Sequence, residues 1–147
     1  DLNDIIRRVC NVSEGNLRGK ATLKLELSTL PSLRCHAGQL GQVLLNMLLN
    51  AVQSLEKPGE IQFASMAYAD TILIKIRDTG PGIPPEILLR IFDPFFTTKQ
   101  VGQGTGLGLT VCNDIVKSHG GRIDVDTTLG QGTTFTIVLP RGGNMGI

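Results

Sequence analysis

The stretch from residue 40 to residue 55 restricts the possible folds more than any other. Leu40, Val43, Leu44, Met47, Leu48, Ala51, Val52 and Leu55 recur at helical spacing, so a helix there carries one wide apolar face. That face has to be buried against another layer, and Pro58-Gly59 ends the helix. Much of the remaining regular sequence reads as strand. Residues 22–27 alternate apolar and polar, and residues 61–68 and 71–77 flank Ala69-Asp70 as an antiparallel hairpin. Residues 122–126 and 133–139 are strands joined by a turn that holds Gly130 and Gly132. Helical spacing returns at residues 2–9, at 84–91 behind Pro84-Pro85, and at 107–118, where Gly120-Gly121 supplies a left-handed stop. No period holds across residues 92–106, the longest candidate loop. The expected class is α+β, with a layer of helices on one face of a mixed sheet.

The length suits one domain, residues 1–147, with 141–147 as a frayed tail. A chain of this size buries roughly 70% of the surface its unfolded form exposes, so it can build a core without staples. Fourteen Lys+Arg against thirteen Asp+Glu leave a net charge of +1. That balance gives no basic field for nucleic acid or an anionic membrane. Cys10, Cys35 and Cys112 are odd in number, widely spaced and without a CxxC, which points to a reducing, cytoplasmic setting rather than a disulfide or metal framework. No apolar run approaches the length of a membrane span, and the first residues do not read as a signal peptide. The anomaly is glycine: 18 in 147 residues, about 12% against a usual share of about 7%. Proline, with 7, is not raised to match, so general loopiness is a poor explanation.

Two common nucleotide motifs fail. Gly15-Asn16-Leu17-Arg18-Gly19-Lys20-Ala21 is one residue short of a P-loop and lacks the Ser/Thr that holds magnesium. Gly102-Gln103-Gly104-Thr105-Gly106-Leu107-Gly108 does not have the dinucleotide spacing, and no strand leads straight into it. Its glycines do open a helix, where backbone N–H groups and the dipole can meet a phosphate; a flexible hinge is the other reading. In Asp78-Thr79-Gly80-Pro81-Gly82-Ile83-Pro84 a carboxylate stands at a strand end before two glycines. It can accept from a ligand amino group while bare backbone packs against a ring, or it can simply start a turn. Asn46 and Asn50 project from one side of the long helix, at the margin of its apolar face. Their carboxamide oxygens suit magnesium, or they cap a neighbouring loop.

Four segments occur in a fixed order: Asn46-Met47-Leu48-Leu49-Asn50-Ala51, Asp78 to Pro84, Phe92-Asp93-Pro94-Phe95-Phe96-Thr97-Thr98-Lys99, and Gly104-Thr105-Gly106-Leu107-Gly108-Leu109. Together they resemble the N box, first glycine box, F box and second glycine box of the ATP-binding catalytic domain of sensor histidine kinases. The superfamily also holds gyrase, the heat-shock chaperone ATPase and the mismatch-repair ATPases. The F box and the Thr-Thr-Lys after it are most similar to nitrogen-regulation kinases. His119-Gly120-Gly121 and Gly132-Thr133-Thr134-Phe135 also fit, so the resemblance covers nearly the whole chain.

The resemblance implies a two-layer α/β sandwich, the Bergerat fold, with a mostly antiparallel sheet and ATP under a mobile lid. It implies that Asp78 accepts the adenine amino group, that Gly80 and Gly82 make room for the ring, and that Thr133 contacts the adenine site. Asn50 would hold Mg2+ on the phosphates, with Asn46 beside the phosphate chain. Phe92 to Thr105 would form the lid, packed down by Phe95 and Phe96, with Lys99 a candidate phosphate contact. Gly104, Gly106 and Gly108 would present backbone N–H groups to the phosphates. Ile83, Thr97, Thr98, Thr105, Leu107 and Leu109 complete the implied nucleotide contacts.

Where the superfamily's ATPases carry a Glu that activates water, this sequence has Asn46, and a carboxamide takes up no proton near neutral pH. Hydrolysis is therefore expected to be slow, with the γ-phosphoryl group kept for an imidazole on a histidine-containing dimerisation domain, and from there for a response regulator. The two histidines, His36 and His119, do not lie in the acceptor's context and are expected to be structural, so the chain reads as part of a longer sensor. His36 departs from the family's usual Asp and should begin its helix less well; His119 stands at a helix end, where the dipole favours it. An anti-sigma-type serine kinase or an ATPase module is the alternative, and the F box argues against the serine kinase.

Overall fold

The computed structural model describes residues 1–33, 35–93 and 108–141. In chain order the elements are α1 (Leu2–Val12), α2 (Glu14–Leu17), β1 (Ala21–Leu27), α3 (Ala37–Ser54), β2 (Gly59–Ala67), β3 (Thr71–Asp78), α4 (Pro85–Leu88), α5 (Gly108–Ser118), β4 (Arg122–Thr128) and β5 (Gly132–Pro140). The strands form one sheet in the order β1-β2-β3-β5-β4. β1 runs parallel to β2, reached through the crossover helix α3, and the other pairings are antiparallel. This is the mixed α+β sheet expected from the sequence, and it matches the Bergerat architecture. The Ala69-Asp70 hairpin is closed by Tyr68 N–H donating to the Thr71 carbonyl at 2.8 Å.

Strand alternation decides what the sheet buries. Ile72, Ile74 and Ile76 of β3 are buried, and register places Ile76 beside Phe63 on one side and Phe135 on the other. Ile61, Ile137 and Leu139 extend the same apolar face, since residues paired across strands share a side. Leu23, Leu25 and Leu27 of β1 lie in register with Ile61, Phe63 and Ser65. Leu25 nevertheless stays 43% exposed, because an edge strand reaches past the helices that cover the centre.

Helix α3 supplies the covering layer. Its Leu40, Val43, Leu44, Met47, Leu48, Ala51 and Val52 are all buried, the face read from its spacing. α1 packs beside it through Leu2, Ile5, Ile6 and Val9. A buried polar link ties α1 to the sheet: Ser65 Oγ donates to Asn3 Oδ1 at 2.8 Å, and Asn3 Nδ2 donates to the Ser28 carbonyl at 2.7 Å. α5 packs on the other side of α3 through Cys112 and Val116. Gly121 N–H closes its last turn by donating to the Val116 carbonyl at 3.0 Å.

His36 begins α3 without a side-chain cap. Its main-chain N–H instead donates to His119 Nε2 at 3.1 Å. Because Nε2 accepts, the ring proton sits on Nδ1, which faces the Ile115 carbonyl at 2.8 Å. His119 therefore acts at its helix end through two hydrogen bonds from a buried ring, which replaces the dipole argument. Arg141, placed with the tail on sequence grounds, is tied to the hairpin: its N–H donates to Asp70 and its guanidinium to the Tyr68 carbonyl.

Candidate functional site

The alternation that builds the core also buries a carboxylate. Asp78 continues the row Ile72, Ile74, Ile76 at the period of two and is only 4% exposed. Beside it in register lies Thr133 of β5, buried as well, and beside that Thr127 of β4. One end of a largely apolar sheet face is thus polar. The Thr127 and Thr133 hydroxyls are 2.9 Å apart, and Thr127 Oγ1 accepts from Ile83 N–H at 2.9 Å. Gly130 N–H donates to the Pro81 carbonyl at 2.8 Å. These bonds hold the segment after Asp78 against the β4–β5 turn.

The Asp78 carboxylate accepts from Gly80 N–H at 2.8 Å. Burial pushes its pKa above the ordinary carboxylate range, and hydrogen bonds from the Gly80 and Thr133 backbones and the Ser54 hydroxyl pull against that rise. A buried carboxylate with donors on its protein side retains acceptor capacity for a ligand.

The glycines around it let the chain pack closely. A Cβ on Gly80 would stand 2.9 Å from Asp78 Oδ1 and 3.3 Å from the Ser54 carbonyl. Gly132 adopts φ +120°, and a Cβ there would run into the Asp78 carbonyl oxygen. Gly82 lies against the Thr128–Leu129 backbone, where a side chain would not fit.

Helix α3 ends beside this carboxylate and runs away from it. Ser54, Asn50 and Asn46 succeed one another at intervals of four on one ridge, a distance of about 12 Å along the axis from first to last. All three are half-buried. No Asp, Glu, Lys or Arg occurs anywhere in α3. At the far end of the ridge stands α5, which opens with exposed Gly108 and half-buried Leu109. The buried Cys112 thiol of α5 faces the Val43 carbonyl of α3 at 3.7 Å, and Thr110 Oγ1 donates to the Phe92 carbonyl at 2.8 Å.

Of the residues implicated by sequence, Asp78, Gly80, Gly82, Ile83 and Thr133 lie at the end of the sheet, Asn46 and Asn50 on the α3 ridge, and Gly108 and Leu109 at the start of α5. Phe95, Phe96, Thr97, Thr98, Lys99, Gly104, Thr105, Gly106 and Leu107 lie outside the described residues. Ser54 and Thr127 were not foreseen as site neighbours, and Gly132 was read only as part of a turn and of a matching segment. Thr127 could have been found, since it continues the alternation of Ile123 and Val125 as Asp78 continues that of Ile76.

Among the described residues no helix is long and apolar enough to cross a membrane. No group of three or more His, Cys, Asp or Glu side chains there could form a metal cage. Cys10, Cys35 and Cys112 are free thiols.

The family described as Histidine kinase-, DNA gyrase B-, and HSP90-like ATPase matches residues 35–143. The sensor histidine kinase ZraS of Escherichia coli (strain K12) is 44% identical over 142 residues, which cover 95% of this chain and 30% of ZraS. Full-length ShkA in complex with AMPPNP superposes with a TM-score of 0.85 at 31% identity, covering 95% of this chain and 30% of ShkA. Histidine kinase ThkA in complex with the response regulator protein TrrA gives 0.81 at 28% identity, over 96% of this chain and 40% of that one. The chain thus spans about a third of the length of relatives such as ZraS.

Proposed function

Because this chain belongs to the family of histidine kinase-, DNA gyrase B- and HSP90-like ATPases, we propose that it is the ATP- and magnesium-binding catalytic domain of a sensor histidine kinase. It passes the γ-phosphoryl group of ATP to a histidine on a separate dimerisation domain, from which a response regulator receives it. One observation carries this reading. A buried carboxylate among close-packed glycines stands at one end of an uncharged helical ridge, and two carboxamides occupy the rest of it.

The carboxylate suits an aminopurine. Asp78 accepts the exocyclic amino hydrogens, which a 6-oxo purine lacks at that position, so the carboxylate selects adenine. The bare backbone at Gly80 lets its N–H reach the carboxylate where a side chain would crowd it, and Ser54 and Thr133 help hold the carboxylate in place. The spacing of the ridge then sets Asn50 and Asn46 at the successive depths of an extended triphosphate. The donor set suits magnesium: a neutral carboxamide oxygen without an acidic cage fits a cation that keeps waters and phosphate oxygens as its other ligands. Asn50 would hold it, where it neutralises phosphate charge and orients the chain for in-line attack.

The same ridge separates transfer from hydrolysis. With no acid in α3, nothing on that helix takes a proton from water. An acceptor imidazole needs no such base, because its free nitrogen lone pair attacks directly; the bond from phosphorus to nitrogen forms as the bond to the ADP oxygen breaks. The chain's contribution is positioning and charge compensation. The partners are the histidine-bearing hairpin and the receiver domain of a regulator, with no nucleic acid and no direct membrane contact, and the setting is cytoplasmic.

The test is to incubate this chain with magnesium, ATP labelled on its γ-phosphorus and the helical-hairpin domain of its parent. Label on the hairpin that is lost in acid and kept in base is the expected result. Label released only as inorganic phosphate would replace the kinase with an ATPase, and label on serine would replace it with a serine kinase.

A further inference from the structure

Thr127 of β4 belongs to none of the sequence motifs, yet its hydroxyl joins the row of Asp78 to the segment beyond it. Register sets Asp78, Thr133 and Thr127 side by side on three neighbouring strands, in that order. Ile83 N–H donates to Thr127 Oγ1 at 2.9 Å, so that oxygen already serves as an acceptor. Its single hydrogen has two acceptors in range, Thr133 Oγ1 at 2.9 Å and the Gly132 carbonyl at 3.2 Å. Hydrogen bonds between oxygens run from about 2.5 to 3.0 Å, so the contact to Thr133 is the one that fits. Thr133 Oγ1 then accepts, and its own hydrogen remains to be given elsewhere. Among the described residues Thr127 is the hydrogen-bond partner of that hydroxyl, and Thr133 is only 4% exposed. A buried donor with nothing to meet is costly, and this one stands beside the Asp78 carboxylate.

The amino group of adenine has a ring nitrogen acceptor on each side, N1 on one edge and N7 on the other. A donor beside the carboxylate can meet one of them, directly or across one water. We propose that Thr127 is a positioning residue for adenine recognition: by donating to Thr133 Oγ1, it turns the Thr133 hydrogen toward the ring nitrogen beside the amino group. The proposal rests on the reading of Asp78 as the adenine carboxylate. It adds a second hydrogen bond to that recognition, set by a residue of the edge strand that acts through Thr133. Thr127→Ser keeps the hydroxyl and with it the relay. Thr127→Val and Thr127→Ala lose the relay and also the acceptor of Ile83 N–H.

Binding of ATP, 1-deaza-ATP and 7-deaza-ATP tests it, since each analogue keeps the amino group and lacks one ring nitrogen. With magnesium present, one of the two analogues should bind wild type about fivefold more weakly than ATP, the scale of one hydrogen bond. In Thr127→Val and Thr127→Ala that ratio of Kd values should fall below about twofold, and Thr127→Ser should keep it. Looser packing of the Ile83 segment weakens all three ligands together and leaves the ratio unchanged, so the ratio reads the relay alone. Alanine puts no methyl where the hydroxyl oxygen stood, so Thr127→Ala carries the test if thermal melts show the valine variant unfolded. In a Thr133→Val background, Thr127→Ala should change the ratio no further, because the hydroxyl it orients is gone. A ratio that persists in folded Thr127→Ala, or equal affinity of wild type for all three nucleotides, would overturn the assignment while leaving the ATP site standing. Wild type that binds no ATP at all would overturn the adenine reading itself, and this proposal with it.

Discussion

The carbonyl oxygen of Asp78 occupies the place where a Cβ on Gly132 would have to sit. The residue that carries the buried carboxylate and the first residue of β5 therefore approach closer than any pair of ordinary residues could. This contact sets the β4–β5 turn against the glycine segment that follows Asp78, and it aligns Thr133 beside the carboxylate.

Gly132→Ala should consequently be among the most damaging single substitutions in the chain. It combines a backbone at φ +120°, where strain costs about 1–3 kcal/mol, with a backbone collision that forces the strands apart. A loss of about 3 kcal/mol is expected, read as a fall of roughly 6–12 °C in Tm. Gly130→Ala, whose Cβ would meet nothing within 4 Å, tests the clash separately and should cost markedly less.

The bond from His36 to His119 makes an asymmetric prediction. The donor is the main-chain N–H of His36, so His36→Ala keeps it and loses only the edge-to-face ring contact at 5.5 Å. His119→Ala removes the acceptor of that N–H and the partner of the Ile115 carbonyl together. Denaturant unfolding should show a loss of about 2 kcal/mol or more for His119→Ala, and less than about 1 kcal/mol for His36→Ala.

Asp78 links function to stability through pH. Its pKa in the folded protein lies above the ordinary value because burial outweighs its hydrogen bonds. The folded chain therefore binds this proton more tightly than the unfolded chain, and the stability contributed by Asp78 is greatest below the unfolded carboxylate value of about 3.9. It declines as pH rises through the folded value. Asp78→Asn does not titrate. Its Tm relative to wild type should rise with pH across that window and then level off, leaving the variant at least as stable at pH 7. A difference that falls with rising pH would contradict the burial argument.

Much of this arrangement could be read from the order of residues, and the limits have physical causes. The face of α3 and the strands β2, β3 and β5 follow from local periodicity, because each buries its apolar side regardless of its neighbours. The parallel pairing of β1 with β2 does not follow, since it depends on how the crossover through α3 closes. Leu25 shows the same limit: its alternation is perfect, yet only its place at the sheet edge determines its exposure. In the site, Asp78 was legible because an acid follows Ile72, Ile74 and Ile76 in step. Its partners Ser54, Thr133 and Gly132 are distant in sequence and meet it only through strand register and the position of the end of α3. The contact between Cys112 and the Val43 carbonyl depends on helix–helix packing, for which no local pattern exists.

The central claim is that Asp78 recognises adenine, and the most direct measurement is nucleotide binding by an Asp78 variant that is demonstrably folded. Wild-type chain and Asp78→Asn should be titrated with a fluorescent ATP analogue in the presence of magnesium at pH 7, each beside its own thermal melt. The account predicts saturable binding by wild type, displaced by ATP and not by GTP, and no detectable binding by an Asp78→Asn protein that melts no lower than wild type. Undiminished binding by that variant, or equal displacement by GTP, would contradict it.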